Sequence, residues 1–455
     1  MFVRFRTATL GVLLACLTLG RALAGVEVRV ADNVFVVPDP KAKVITVWMI
    51  VKAGCRDEEA GQCRGLAHYL EHLMFLGRGA EQASAQSMFF AAGQTNAFTS
   101  MRATSYYQSV PAREATIGLD LEKLFSLFAH RLRELNPPED AARRERNVVL
   151  QEFNYRQSDS FRVRFNTELN TMLEPEHPIH QPVIGARADI ANFTVEAARA
   201  FHERWYSRDN AIFVVYGPVS PADVRPLAVK YIETLPEKPV PGRAWLDALR
   251  TFEPMDATRQ GADASIARTS IQFEKIVRFA EPFPDRSDAA SDILFDYLNS
   301  EMEGSLSDVF VEGKRLATGV EISRTPFGQG VMWSTVRANL EEGVAPETMK
   351  TAIAAYFREL AQKGVDDAMV ERLKRRRARD VKEISNDPRR TLADLTAWFS
   401  ESGAYADWQK RAEDFASVTP QTLAPLLRAM GGPGRQVFGV LEPLEGARRM
   451  VESSQ

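Results

Sequence analysis

The chain of 455 residues is poor in cysteine, carries no excess of either charge and has almost no long apolar run; each shortage narrows what it is. With 57 basic against 60 acidic side chains the formal net charge is −3, so there is no electrostatic footprint for nucleic acid. The one basic run, Lys374-Arg375-Arg376-Arg377-Ala378-Arg379, shares a predicted helix with Glu371, Asp380 and Glu383 and reads as a solvated face. Beyond the N-terminus no segment approaches the ~20 apolar residues of a membrane span. The N-terminal exception has the form of an export signal: Arg4 and Arg6 precede an apolar core from Ala8 to Leu19, and Ala22 and Ala24 put small residues at the cleavage site. Removal of residues 1–24 leaves a mature chain beginning at Gly25, periplasmic or secreted. A lipoprotein box at Leu13-Leu14-Ala15-Cys16 is a poorer reading, since the apolar stretch continues past Cys16.

What is present is concentrated in Gly65-Leu66-Ala67-His68-Tyr69-Leu70-Glu71-His72-Leu73, an H-x-x-E-H arrangement inside an apolar helical run. Positions i and i+4 of a helix are neighbours, so His68 and His72 can ligate one metal ion, with Glu71 beside them to handle a proton. The order is the inverse of H-E-x-x-H. Catalytic zinc takes three protein ligands, so a third must come from elsewhere. The best candidate stretch is Arg144 to Phe153, where Glu145 and Glu152 lie two helical turns apart and share a face. Charged pairs on a solvated helix are the plainer reading of those two glutamates. His130, His177, His180 and His202 have no partner at such spacing and read as structural.

With Glu152 lying 80 residues after His72, the chain resembles the M16 metallopeptidases, the pitrilysin, insulinase and mitochondrial processing peptidase group, and among them the bacterial two-domain M16B-type subunits. Val51-Lys52-Ala53-Gly54, the strand Gly93-Gln94-Thr95-Asn96-Ala97-Phe98-Thr99, Thr104 to Tyr107, His177-Pro178, Pro182-Val183-Ile184-Gly185, Trp205-Tyr206 and Asn210 to Gly217 are similar to further landmarks of that family, in the same order. The resemblance implies zinc held by His68, His72 and Glu152, with Glu71 as general base and Glu145 supporting from behind. It also implies that a peptide substrate adds as a strand along Asn96-Ala97-Phe98, a mode that reads backbone more than side chains. The remaining cysteines, Cys55 and Cys63, sit just ahead of the metal helix. An even pair in an oxidising compartment invites a disulfide, and a thiolate near the metal is the second reading.

Apolar strands (Val44 to Val51, Ala211 to Val215) alternate with amphipathic helices (Glu114 to Arg131, Glu139 to Asn154, Val195 to Trp205), an α+β pattern. The Pro-rich stretch from Leu235 to Gly242 marks a boundary, which predicts a zinc-binding domain over 25–235, a linker over 236–249 and a second domain over 250–455. The second domain repeats the order in outline: strand Ser270 to Phe279, helix Asp288 to Met302, strands Thr318 to Ser323 and Gly330 to Leu340, helices Ala345 to Lys363 and Asp367 to Ile384. It has no H-x-x-E-H. The resemblance implies two related domains, each a mainly antiparallel sheet covered by helices, as in the LuxS-like metallohydrolase fold.

One departure shapes the functional expectation. Active members of the family that the chain resembles often carry, here or in a partner chain, an Arg and a Tyr that hold substrate and oxyanion, in a segment corresponding here to Phe310 to Val320. Val311 and Thr318 stand in their places. An oxyanion donor is worth ~10²–10³ in rate. The expectation is therefore a zinc endopeptidase acting as the metal-bearing chain of a heterodimer, the Arg and Tyr coming from a homologous subunit without the zinc motif. Lys314 or Arg315 serving instead, a homodimer, and a non-catalytic structural subunit with the same fold are the alternatives.

Overall fold

The computed structural model describes residues 33–58, 63–76, 93–157, 160–173, 182–243, 253–278, 287–328, 330–401 and 403–444. The expected export signal, Cys16, His177 and His180 lie outside the described residues. The first half contains β1 (Val34–Pro38), β2 (Val44–Val51), α1 (Leu66–Leu73), β3 (Gln94–Thr99), β4 (Thr104–Pro111), α2 (Ile117–Arg133), α3 (Glu139–Gln157), α4 (Phe161–Leu173), α5 (Arg187–Ala191), α6 (Val195–Trp205), β5 (Ala211–Gly217) and α7 (Pro221–Leu227). The second contains β6 (Met255–Asp263), β7 (Ser270–Arg278), α8 (Ser287–Leu298), β8 (Ala317–Gly328), β9 (Val331–Leu340), α9 (Pro346–Lys363), α10 (Asp367–Asn386), α11 (Pro388–Ser400), α12 (Tyr405–Ser417), α13 (Pro420–Gly431) and β10 (Arg435–Pro443).

These form two five-stranded sheets of the same wiring, ordered β1-β5-β2-β4-β3 and β6-β10-β7-β9-β8. In each, the first pair is parallel and the rest antiparallel. The fold is α+β with two related domains. Central β5 is buried along its whole length, which its unbroken apolar run Ala211-Ile212-Phe213-Val214-Val215 demands. Outer β3 alternates exposed and half-buried residues, as a strand with one covered face must.

The halves are not separate in their packing. One face of the first sheet is covered by its own helices, including α1 and α2. The other face, presenting Phe35, Val37, Ile50 and Val214, is covered by Leu395 and Phe399 of α11 and Trp408 of α12, from the second half. Reciprocally, Phe165, Leu169 and Leu173 of α4, from the first half, pack on Ile276, Val437 and Leu441 of the second sheet. The basic run of α10 is less uniform than its sequence suggested. Arg377 is half-buried and donates Nε and Nη2 to Asp296 of α8, at 2.6 and 2.7 Å, while Arg375, Arg376 and Arg379 are exposed.

Candidate metal and peptide site

Helix α1 is built to carry a polar cluster on a buried element. Tyr69, Leu70 and Leu73 enter the core, and the Tyr69 hydroxyl donates to the Ala142 carbonyl at 2.9 Å, fixing α1 against α3. Where the chain enters α1, Gly65 has φ 97°, a left-handed conformation that glycine adopts without a steric penalty. A Cβ there would lie 2.1 Å from the Ile184 carbonyl, and one on Gly185 would lie 1.8 Å from that of Arg64, so two glycines let the backbones touch. This contact brings Val183 and Ile184 to the rim of the cleft above α1.

On the cleft side of α1 the two imidazoles meet α3. His68 Nε2 lies 3.8 Å from Glu152 Oε1, and His72 Nε2 lies 3.4 Å from Glu152 Oε2. All three donor atoms fall within 4.8 Å of one another. Donors about 2 Å from a tetrahedral ion sit roughly 3.3 Å apart, so this His₂Glu set has the donor types and the arrangement for zinc once the side chains draw together around it. His72 Nδ1 faces Glu145 Oε1 at 2.8 Å, which favours the tautomer with its proton there and leaves the Nε2 lone pair for an ion. Burial acts against charging His72, but the Glu145 hydrogen bond and the carboxylates of Glu71, Glu145 and Glu152 outweigh it and raise its pKa. His68 is lowered to about 3, by burial first and then by His72 and Arg156, so it stays neutral and able to ligate.

Glu71 is 7% exposed, and its Oε2 accepts from Thr99 Oγ1 at 2.6 Å. Burial raises its pKa, with the Thr99 bond opposing. That is the direction required of a carboxylate acting as a base near neutral pH. Alongside runs β3, which pairs with β4 on one side and leaves its other edge open among the described strands. The Ala97 N–H is taken by the Asn96 side-chain oxygen at 2.9 Å, and Phe98 is exposed. Together these residues line a cleft of about 490 Å³.

Two family models match the chain, Insulinase (Peptidase family M16) over residues 33–185 and Peptidase M16 inactive domain over residues 192–377. The chain belongs to the M16 peptidase family. Zinc protease PqqE of Helicobacter pylori is 28% identical over 348 residues, 73% of each chain. Uncharacterized zinc protease YmxG of Bacillus subtilis is 27% identical over 203 residues, and this chain covers 46% of its length. Among solved M16-like folds, a protease from Helicobacter pylori superposes with a TM-score of 0.71 at 23% identity, over 90% of this chain and 98% of that one. The periplasmic protease PqqL from Escherichia coli gives 0.73 at 17% identity over 91% of this chain, which spans about half of it (47%).

Of the residues expected from the M16 resemblance, the structure gathers His68, Glu71, His72, Glu145, Glu152 and Asn96 to Phe98 around one cleft. Cys55 and Cys63 are joined by a disulfide with Cα atoms 4.5 Å apart, which leaves neither sulfur as a thiolate for a metal. Val311, Lys314, Arg315 and Thr318 do not line the cleft, whose described lining comes from residues 68–184 alone. Three neighbours of the site had no assigned role in the sequence. Thr99 ends the quoted strand, and only its tertiary contact with Glu71 distinguishes it. Arg156 reaches Glu152 Oε1 at 2.7 Å from one turn further along α3, a spacing that could have been read. Glu58 caps α1 from a distance. His130 instead pairs with Glu134, and buried His202 bonds the Arg131 carbonyl at 2.7 Å.

Proposed function

We propose that this chain is a zinc-dependent endopeptidase acting on extended or unfolded peptides, and that it is the metal-bearing subunit of a heterodimer. One observation carries the reading: a His₂Glu donor set within 4.8 Å, with Glu71 between the ligands, beside an open strand edge. His68, His72 and Glu152 would hold the ion, and Glu145 orients His72. Zinc bound there supplies Lewis acidity, polarising the scissile carbonyl and acidifying the attacking water. Glu71 takes the water's proton and returns it to the leaving amine. The peptide adds to the edge of β3, displacing the Asn96 side chain from the Ala97 N–H, so affinity comes from main-chain pairing.

The described lining of the cleft includes one arginine, Arg156, whose charge is engaged by Glu152, and no tyrosine. An oxyanion donor would then come from a homologous subunit, one without the zinc motif; a homodimer is the second arrangement. Export to the periplasm or beyond is supported by the Cys55–Cys63 bridge, which persists in oxidising compartments. The non-catalytic reading draws on residues 192–377 matching the family's inactive domain. All four motif residues in the first half weigh against it.

The test is cleavage of a quenched unstructured peptide by the purified chain, with and without chelator, as Glu71→Gln, and with a co-expressed metal-free homologue. Activity confined to the mixture, and lost with chelator or Glu71→Gln, supports the split site. Full activity of the single chain refutes the partner. No activity in any mixture favours the structural subunit.

A further inference from the structure

The loop ahead of α1 carries an arrangement that the proposed chemistry does not use. Glu58 is 5% exposed, yet its carboxylate meets a row of main-chain donors. The Arg64 N–H donates to Oε2 at 2.8 Å and the Ala67 N–H to Oε1 at 2.9 Å, and the N–H groups of Gly65 and Leu66 also bond to it. The first amides of a helix have no intrahelical acceptor, and negative charge is favoured beside them. In α1 the N-cap residue is Gly65, which has no side chain to do this. Glu58 does it from outside the helix, seven positions before the N-cap. Burial raises its pKa, and the four N–H groups, which bond both oxygens, act in the opposite direction and favour the charged form.

Two constraints keep Glu58 in place. The Cys55–Cys63 disulfide brackets it, bringing the chain on either side to a Cα separation of 4.5 Å. The same loop is stitched to the β3–β4 turn, the Cys55 and Arg56 N–H groups donating to the Ser100 and Met101 carbonyls at 3.1 and 3.2 Å. His68 is the residue after Ala67, in the first turn that Glu58 holds. A small displacement of that turn would move His68 relative to His72 and Glu152, which are held from elsewhere.

We propose that Glu58, kept in place by the Cys55–Cys63 bridge, is a positioning residue for the metal: it fixes the first turn of α1 so that His68 meets the ion together with His72 and Glu152. The inference rests on the zinc reading above and adds to it that affinity depends on a carboxylate and a disulfide that never touch the ion. Opening the bridge with an external dithiol weakens binding without altering a ligand. The dithiol is oxidised to its own disulfide, and its two electrons and two protons leave thiols at Cys55 and Cys63.

The test measures zinc dissociation constants of the full chain by competition with a chromogenic chelator, for wild type, Glu58→Gln and the Cys55→Ser/Cys63→Ser pair. Amide hydrogen exchange of residues 64–67 is followed in the zinc-free proteins. Both variants are expected to bind zinc about 10-fold or more weakly, and to exchange those amides faster at unchanged far-UV circular dichroism. A lowered melting temperature with an unchanged dissociation constant means that Glu58 only stabilises the fold, and overturns the proposal. Should Glu58→Gln fail to fold, wild type reduced with dithiothreitol, freed of it by anaerobic gel filtration and later reoxidised gives the same comparison: affinity lost and regained supports the clamp, affinity unmoved refutes it. Failure of wild type itself to bind zinc would instead overturn the zinc reading.

Discussion

Glu145 and His202 show how one kind of hydrogen bond serves two purposes. The 2.8 Å contact between Glu145 and His72 Nδ1 orients a ring whose other nitrogen faces Glu152. Partners of this sort, behind a metal ligand, are worth about 10–100-fold in metal affinity. Glu145→Ala is accordingly expected to weaken zinc by that factor in a chelator competition, whereas Glu71→Gln leaves affinity close to wild type and removes turnover. His202 bonds a carbonyl inside the core, stacked on Tyr206 at 4.7 Å, and burial lowers it to about 4. In the unfolded chain the same ring takes a proton near pH 6.5. The unfolded state therefore binds the extra proton between pH 6.5 and about 4, and stability present in full above that window is lost as pH falls through it. The total is about 3 kcal/mol, roughly 2 of it gone by pH 5. Urea unfolding at pH 7 and pH 5 checks this, because His202→Gln should reduce the pH dependence by about that amount whatever its offset, buried His68 accounting for a further share in the zinc-free chain. At this scale the sequence was most legible where chemistry and spacing coincide: His68, Glu71 and His72 could be named from one turn of helix. Thr99 and Glu58 could not, because a threonine ending a strand and a glutamate in a loop acquire meaning only when folding brings Glu71 and the first amides of α1 to them.

Among the elements, legibility followed pattern rather than burial: β1 and the middle of β10 are buried, yet neither was expected from the sequence. The strand over Val44–Val51 is an apolar run, and the one over Ser270–Arg278 alternates Ile271 and Phe273 with Gln272 and Glu274; both patterns read directly. β6 did not, since Met255-Asp256-Ala257-Thr258-Arg259-Gln260 is polar and becomes a strand only by lying parallel to β10 at a sheet edge. The apolar spacing of α4, Phe161, Phe165, Leu169, marks a helix but does not say that its target lies in the other half. Two glycines prepare that target. A Cβ on Gly439 would lie 2.6 Å from Leu169 Cδ1, and one on Gly261 would lie 2.8 Å from Phe161 Cζ. Overpacking of such a seat costs typically 1–3 kcal/mol. Gly439→Val is expected to lower the urea midpoint by an equivalent amount at an unchanged slope; an unchanged midpoint would show that α4 can slide without loss.

For the molecule as a whole, the shared wiring of the two sheets is that of a duplicated unit whose copies have diverged in chemistry. The donor set lies in the first copy, and the described lining of the cleft includes no residue of the second. The pattern repeats in the sequence only as element order, which is why two related domains could be expected while their mutual dependence could not. That dependence is physical: each sheet buries one face under a helix from the other half. A fragment of residues 33–243 would expose Phe35, Val37, Ile50, Val214 and Tyr216 as one apolar surface once α11 and α12 are gone. Fully burying a side chain of this size is worth about 1.5–3 kcal/mol, so five of them together rival the 5–15 kcal/mol that holds an ordinary domain folded. The fragment is therefore expected to bind a hydrophobic dye and to lack a cooperative urea transition. Adding residues 253–443 in trans should restore both the transition and zinc binding, since the second half supplies the cover and the first supplies every ligand. Were the fragment to unfold cooperatively and bind zinc alone, the exchanged helices would be a late addition to a self-sufficient metal domain, and the second half would be free to serve substrate or partner.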